Sequence, residues 1–232
     1  MTQRPKIRVA IVDNSINPEI YTPVQHWTSF LNAEWRAFRA PDNRLPHFKE
    51  GFTHIILSGS EASILDRAGW VWEEVEFVQE ALIRGLSILG SCYGHQLLAL
   101  SLRGPAHVRR SQDAEIGWIP IEINGKADLL GRKGTAYTFS SHFDEVVDLD
   151  DSFEILASTS VCPIQAFELK GRPVWGVQPH PEIDIPAARK FLESLVNLKF
   201  RSSSLFEKAL ESAPRDSGLI FPLLKKFLGS NS

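Results

Sequence analysis

Cysteine is nearly absent: the 232 residues hold two, Cys92 and Cys162, beside a single methionine. Two cysteines do not make a disulfide framework, and a chain of this length can bury a core large enough to do without one. No apolar run approaches the roughly 18 residues that cross a bilayer. The N-terminal stretch MTQRPKIRVAIVD carries basic residues, but its apolar run is short and no small-residue cleavage site follows, so it does not read as a secretory signal. An excess of one charge is lacking too. The 25 Lys and Arg against 28 Asp and Glu leave a net charge of -3, and the basic side chains are scattered, which excludes the basic footprint of a nucleic-acid binder. There is no internal repeat, no low-complexity stretch and no phosphate loop of the form GxxxxGK[ST]; the nearest string, from Gly131 to Thr135, has the wrong spacing. These absences lead us to expect a cytoplasmic protein with no nucleic-acid or membrane partner, no metal and no cofactor.

What is present is alternation. Short β-type runs at Arg8 to Val12, Glu34 to Ala40, His54 to Leu57 and Leu86 to Leu89 are separated by segments of helical period, Tyr21 to Leu31 and Trp70 to Arg84. That order predicts an α/β fold, an open, mostly parallel, twisted sheet flanked by helices. After Gly104-Pro105, which stops a helix, β-type runs follow one another: Ile116 to Ile123, Ala136 to Phe139, Glu154 to Ser158, Ile164 to Leu169 and Pro173 to Val177. They predict a smaller antiparallel β part, with a hairpin turn at Lys170-Gly171-Arg172. A closing helix is expected over Pro186 to Leu198. Residues 1–200 are then one domain and 201–232 a helical extension, with a serine-rich linker from Arg201 to Ser204 and two amphipathic pieces that pack on the core, form a dimer contact or bind a partner.

The stretch GSCYGHQ, Gly90 to Gln96, lies where a predicted strand turns into a helix. A glycine two before and two after a nucleophile is the spacing of a nucleophile elbow, whose crowded turn needs small neighbours. It places the thiol at a helix N-terminus, where free N–H groups and the helix dipole favour a thiolate. Cys162, in STSVCPIQAF, lacks this setting and reads as a small buried hydrophobe. A nucleophilic cysteine needs a base. Of the seven histidines, His26, His47, His54 and His107 have contexts of surface or structural residues, and His95, on the cysteine's own helix, takes a packing or rim role. His180 ends a β-type run in VQPHPE, its backbone restricted by Pro179 and Pro181. In an extended segment residues i and i+2 face the same way, so Glu182 can orient its ring. Alone, PHPE is an ordinary proline-rich loop; with the elbow it completes a Cys-His-Glu triad.

Together these residues resemble the class I, or triad-type, glutamine amidotransferases, and within them a stand-alone domain like that of GMP synthase. LSGS at 57–60, AEIGW at 114–118 and SSHFDEV at 140–146 are similar to further landmarks of that family, over roughly residues 7 to 198. The resemblance implies a flavodoxin-like fold with Cys92 as nucleophile, His180 as acid and base, and Glu182 as its orienting carboxylate. It implies an oxyanion hole from the N–H groups of Gly59 and Tyr93, and contacts to glutamine from Gln96, Ser141, His142 and Phe143. The implied reaction is hydrolysis of the glutamine side-chain amide through a cysteine thioester, giving glutamate and ammonia. No synthetase domain fits in the remaining residues, so any ATP-dependent chemistry of an ammonia-accepting synthetase is expected to belong to another chain. Two alternatives stay open: hydrolysis of γ-glutamyl peptides or conjugates by the same triad, and a silent partner-binding subunit. Without the resemblance, AEIGW is a strand start with a buried Trp118 and SSHFDEV a turn with a solvated acidic pair.

Overall fold

The computed structural model describes residues 6–124, 129–199 and 203–230. The first half winds as alternation predicts. Strand β1 (Arg8–Asp13), helix α1 (Pro23–Thr28), β2 (Glu34–Arg39), β3 (His54–Leu57), α2 (Val71–Ile83), β4 (Ser87–Ser91) and α3 (Tyr93–Arg103) follow in order. Then come β5 (Val108–Ile123), β6 (Gly134–Val146), β7 (Phe153–Ser158), β8 (Ala166–Leu169), β9 (Val174–Val177), α4 (Ile185–Asn197), α5 (Ser203–Glu211) and α6 (Ile220–Gly229). The strands make one sheet in the order β2-β1-β3-β4-β9-β8-β7-β5-β6. The first five in that order pair parallel and the rest antiparallel. The antiparallel part is thus continuous with the parallel one, joined at β9, which pairs parallel with β4 and antiparallel with β8.

Side-chain alternation sends β1 into two cores. Ala10 and Val12 face a cluster with Val78 of α2 and Leu97 of α3, while Val9 and Ile11 face one with Trp27 of α1 and Leu223 and Phe227 of α6. Each buried Val, Leu, Ile or Phe side chain among them contributes about 1.5–3 kcal/mol. A third cluster joins Tyr21 and Phe139 to Leu192 of α4 and Phe206 of α5. Of the three fates left open for the two C-terminal pieces, packing on the core is the one observed. Ser203 and Ser204 already belong to α5, whereas Arg201 and Ser202 of the expected linker lie outside the described residues, as do the first five residues.

Two strands run well beyond their sequence signal. Val108 to Glu115 continues β5 upstream, hidden by its polar composition and by a bulge between Arg110 and Glu115. SSHFDEV lies in β6, not in a turn, and its acidic pair is buried: Asp144 meets Arg110 at 2.9 Å and Glu145 meets Arg109 at 2.9 Å. Trp118 is half-buried. Helix α1 is shorter than predicted and has Pro23 in its first turn.

Glu74 of α2 is fully buried and neither carboxyl oxygen has a partner among the described residues. Burial raises its pKa well above the usual carboxylate value, so the folded chain holds this proton more tightly than the unfolded one. Stability is therefore lost as pH rises from the ordinary glutamate range toward that raised value. Glu74→Leu is expected to stabilise the protein by about 1–3 kcal/mol at neutral pH, and by less at pH 4. Thermal melts at both pH values check the magnitude and the sign.

Candidate active site

Strands β4 and β9 lie side by side with Ser91 opposite Val177, so the turns that follow them open at the same sheet edge. That edge, at the carboxyl ends of parallel strands, is where α/β sheets collect ligands. Cys92 heads α3 with φ 48° and ψ -105°, a conformation a non-glycine residue adopts only when its surroundings impose it. They do so here. Its N–H donates to the Val177 carbonyl at 2.9 Å. A Cβ on Gly90 would lie 2.3 Å from the Gly94 carbonyl oxygen, and one on Gly94 2.2 Å from that of Leu57, so no larger residue fits either position. Sγ lies 3.8 Å from the Ser141 carbonyl oxygen. The residue is only 5% exposed, yet it lines a cavity of about 640 Å³.

His180 follows β9 and is anchored by its N–H donating to the Phe139 carbonyl at 2.8 Å. Nδ1 pairs with Glu182 Oε1 at 2.8 Å, the i to i+2 contact expected of the extended PHPE segment. Glu182 is fully buried, and the same oxygen also accepts from Ser91 Oγ at 3.0 Å and Tyr21 Oη at 3.3 Å. The Tyr21 hydroxyl stands 3.5 Å from His180 Nδ1, and its ring meets the imidazole edge-on. Burial is the largest single influence on His180 and favours the neutral ring. Charge and hydrogen-bonding interactions with Cys92 and Glu182 together outweigh it and raise the pKa to about 10.

The cavity brings Cys92, Tyr93, Gln96, Ser141, His142, Phe143 and His180 onto one wall system. Gly59 and Glu182 stand behind it: a Cβ on Gly59 would lie 2.6 Å from His180 Cε1, and Glu182 holds the ring from the rear. Tyr93 is the first residue of α3, so its N–H has no acceptor within the helix. Gln96 donates to the Asp144 carbonyl at 2.9 Å and to Gln178 Oε1 at 3.2 Å. His95 is not at a rim. It is fully buried against Phe167, and burial lowers its pKa to about 3. Cys162 is buried as expected.

The AEIGW and SSHFDEV motifs meet behind the cavity. Glu115 pairs with His142 Nε2 at 2.9 Å and accepts from Thr159 Oγ1 at 2.7 Å and from Gln165 Nε2. Glu115, His142 and Cys162 present ligand atoms within 4.8 Å of one another, a set that could hold a metal; the carboxylate is already satisfied by the three donors named. Nothing in the sequence pattern marked Tyr21, Ser91, Arg110 or Phe206 as parts of the site. Tyr21 and Ser91 touch Glu182, while Arg110 and Phe206 line the cavity. A larger depression, about 910 Å³, lies at the far end of β9 around Arg172 and Lys225, and neither Cys92 nor His180 lines it.

Residues 12–195 match the model of the family described as glutamine amidotransferase class-I. The glutamine-hydrolyzing GMP synthase of Porphyromonas gingivalis is 35% identical over 144 residues, 62% of this chain and 27% of that protein. A subunit of the glutamine-hydrolyzing GMP synthase of Methanothermobacter thermautotrophicus is 35% identical over 130 residues, 56% of this chain and 64% of that one. The match thus spans less than two thirds of either relative. A crystal structure of a glutamine amidotransferase from Thermotoga maritima superposes with a TM-score of 0.75 at 20% identity, covering 97% of this chain and 99% of that one, so the fold is shared. With a glycine-flanked cysteine at the end of β4, a histidine-glutamate pair at the end of β9, and a family match over most of its length, the chain belongs to the class I glutamine amidotransferases.

Proposed function

We propose that the protein hydrolyses the side-chain amide of glutamine through Cys92, His180 and Glu182, releasing glutamate and ammonia. The observation that carries this reading is the His180–Glu182 pair at 2.8 Å, delivered by β9 to the edge where the strained elbow presents Cys92. Cys92 attacks the carboxamide carbon, and the N–H groups of Gly59 and Tyr93 stabilise the oxyanion. Such donors are typically worth about 3 kcal/mol each to the barrier. His180 protonates the departing ammonia and then activates the water that cleaves the thioester, while Gln96 and the strand at Ser141, His142 and Phe143 hold the substrate. Glutamate release from glutamine by the purified, reduced protein tests the reading; no turnover at high protein concentration sinks it.

We take residues 1–200 as the amidotransferase domain and 201–232 as its extension, and we assign the ammonia acceptor to a separate synthetase chain. Relatives that are named as one subunit of a GMP synthase support a separate acceptor. A pull-down with and without residues 201–232 tests whether the extension holds that chain.

The pH dependence follows from the imidazole. Its folded pKa is raised from 6.5 to about 10, so in the folded protein the ring stays charged well above pH 6.5 and loses its proton as pH climbs through about 10, while the stability this charge contributes is full below pH 6.5 and is lost over the same rise. The alkaline limb of kcat/KM is expected near pH 10, not near 6.5. Glu182→Gln removes one of the interactions that raise it, and the limb should move toward lower pH in a rate profile.

A further inference from the structure

The cavity around Cys92 has two chemically different ends. Toward α3 its wall is polar: Asp144 accepts from Ser63 Oγ at 2.5 Å and pairs with Arg110 at 2.9 Å. Opposite charges held side by side suit the free α-ammonium and α-carboxylate of a glutamyl group. Beside His180 the wall is apolar, made by Ile183, Phe191 and Leu195 with Phe206 of α5. Ile183 follows His180 closely enough for its N–H to donate to the His180 carbonyl at 3.2 Å. Phe191 packs edge-on against Tyr21 and Phe139, whose rings both meet the His180 imidazole. The leaving nitrogen takes its proton from His180, so whatever that nitrogen carries faces this wall. Ammonia carries nothing that would fill it.

Helix α5 lies outside the residues matched by the family, 12–195. It is seated on β5 at the glycine of AEIGW: Gly117 has φ +105°, and a Cβ there would come within 3.1 Å of Ala209 Cβ. That close approach sets Phe206, 1% exposed, into the cavity wall, where its ring meets Phe143 at 6.3 Å.

We propose that the protein also cleaves γ-glutamyl amides whose leaving amine bears an apolar group, with Phe206 as a specificity-determining residue. This rests on the cysteine chemistry proposed above. Sγ of Cys92 bonds to the γ-carbon, the carbon–nitrogen bond breaks, and the ring nitrogen of His180 not engaged by Glu182 gives its proton to the departing amine. Water then adds to the thioester, the carbon–sulfur bond breaks, and glutamate and the regenerated thiol result. One water is consumed and nothing is oxidised or reduced.

The test compares kcat/KM for glutamine, γ-glutamylbenzylamide and γ-glutamylglycine, read as glutamate release. The benzylamide is expected to exceed the glycine conjugate by about tenfold or more, the effect of seating a small apolar group. Phe206→Ala should lower the benzylamide-to-glutamine ratio by about tenfold. Since Phe206 is buried, Phe206→Leu is measured beside it and should lower the same ratio less. Turnover of glutamine without turnover of the benzylamide, or an unchanged ratio in a folded Phe206 variant, overturns the inference and leaves the glutaminase standing. No turnover of any of the three substrates, with Cys92 reduced, overturns both.

Discussion

Replacing Cys92 with alanine is expected to lower glutamine hydrolysis by on the order of ten-thousandfold or more while the chain stays folded. Removing the nucleophile of a catalytic unit leaves only the acceleration from binding and the oxyanion donors. The fold should tolerate the change. The strained backbone at Cys92 is held by its N–H to the Val177 carbonyl and by the two close-packed glycines, none of which needs the sulfur. A second readout separates this account from nonspecific damage. Interaction with Cys92 is among the causes that raise His180 to about 10, so the alanine variant should titrate His180 at lower pH, as NMR of the imidazole would show. Residual glutaminase within tenfold of the parent would place the chemistry elsewhere.

Gly59→Ala keeps the backbone N–H proposed to face the oxyanion but moves it, and is expected to cut kcat by up to the order of a hundredfold to a thousandfold, the range for an oxyanion donor put out of place. The added Cβ would stand 2.6 Å from His180 Cε1 and 2.9 Å from the Tyr21 hydroxyl. Neither distance is tolerable, so the base, the tyrosine or the oxyanion loop must shift. The loop at 57–60 also carries backbone contacts that fix its shape, including Ser58 N–H to the Val12 carbonyl at 3.0 Å. The loss should therefore appear in kcat more than in KM, with a stability cost of about 1–3 kcal/mol from overpacking. Steady-state kinetics and a thermal melt on the same sample decide it; unchanged kcat would show that the added Cβ displaces neither the base nor the proposed donor.

The elbow was legible in the sequence because its requirement is local. Gly90 and Gly94 are set by contacts between backbone atoms at the start of α3 and the end of β3, and small residues at that spacing announce the turn. PHPE was legible for the same reason, since an extended dipeptide step aims His180 and Glu182 the same way. The upstream half of β5 was not. Its alternation is broken by a bulge, and residues such as Glu115 and His142 are buried only because they satisfy one another across the β5–β6 pair. Polar composition reads as a solvated loop until that partner is in place.

By itself, then, the sequence determined the α/β alternation, the strained cysteine turn and the histidine-glutamate step, each the product of backbone sterics and side-chain periodicity over a few residues. Only the tertiary structure decided that β4 and β9 are neighbours, which brings the sulfur and the imidazole to one edge. It alone set the Tyr21 and Ser91 hydroxyls on the Glu182 carboxylate and laid α5 over Gly117 so that Phe206 walls the cavity. Those placements depend on pairing and packing between segments far apart in the chain, where the free energy lies in mutual burial and no single segment carries the signal.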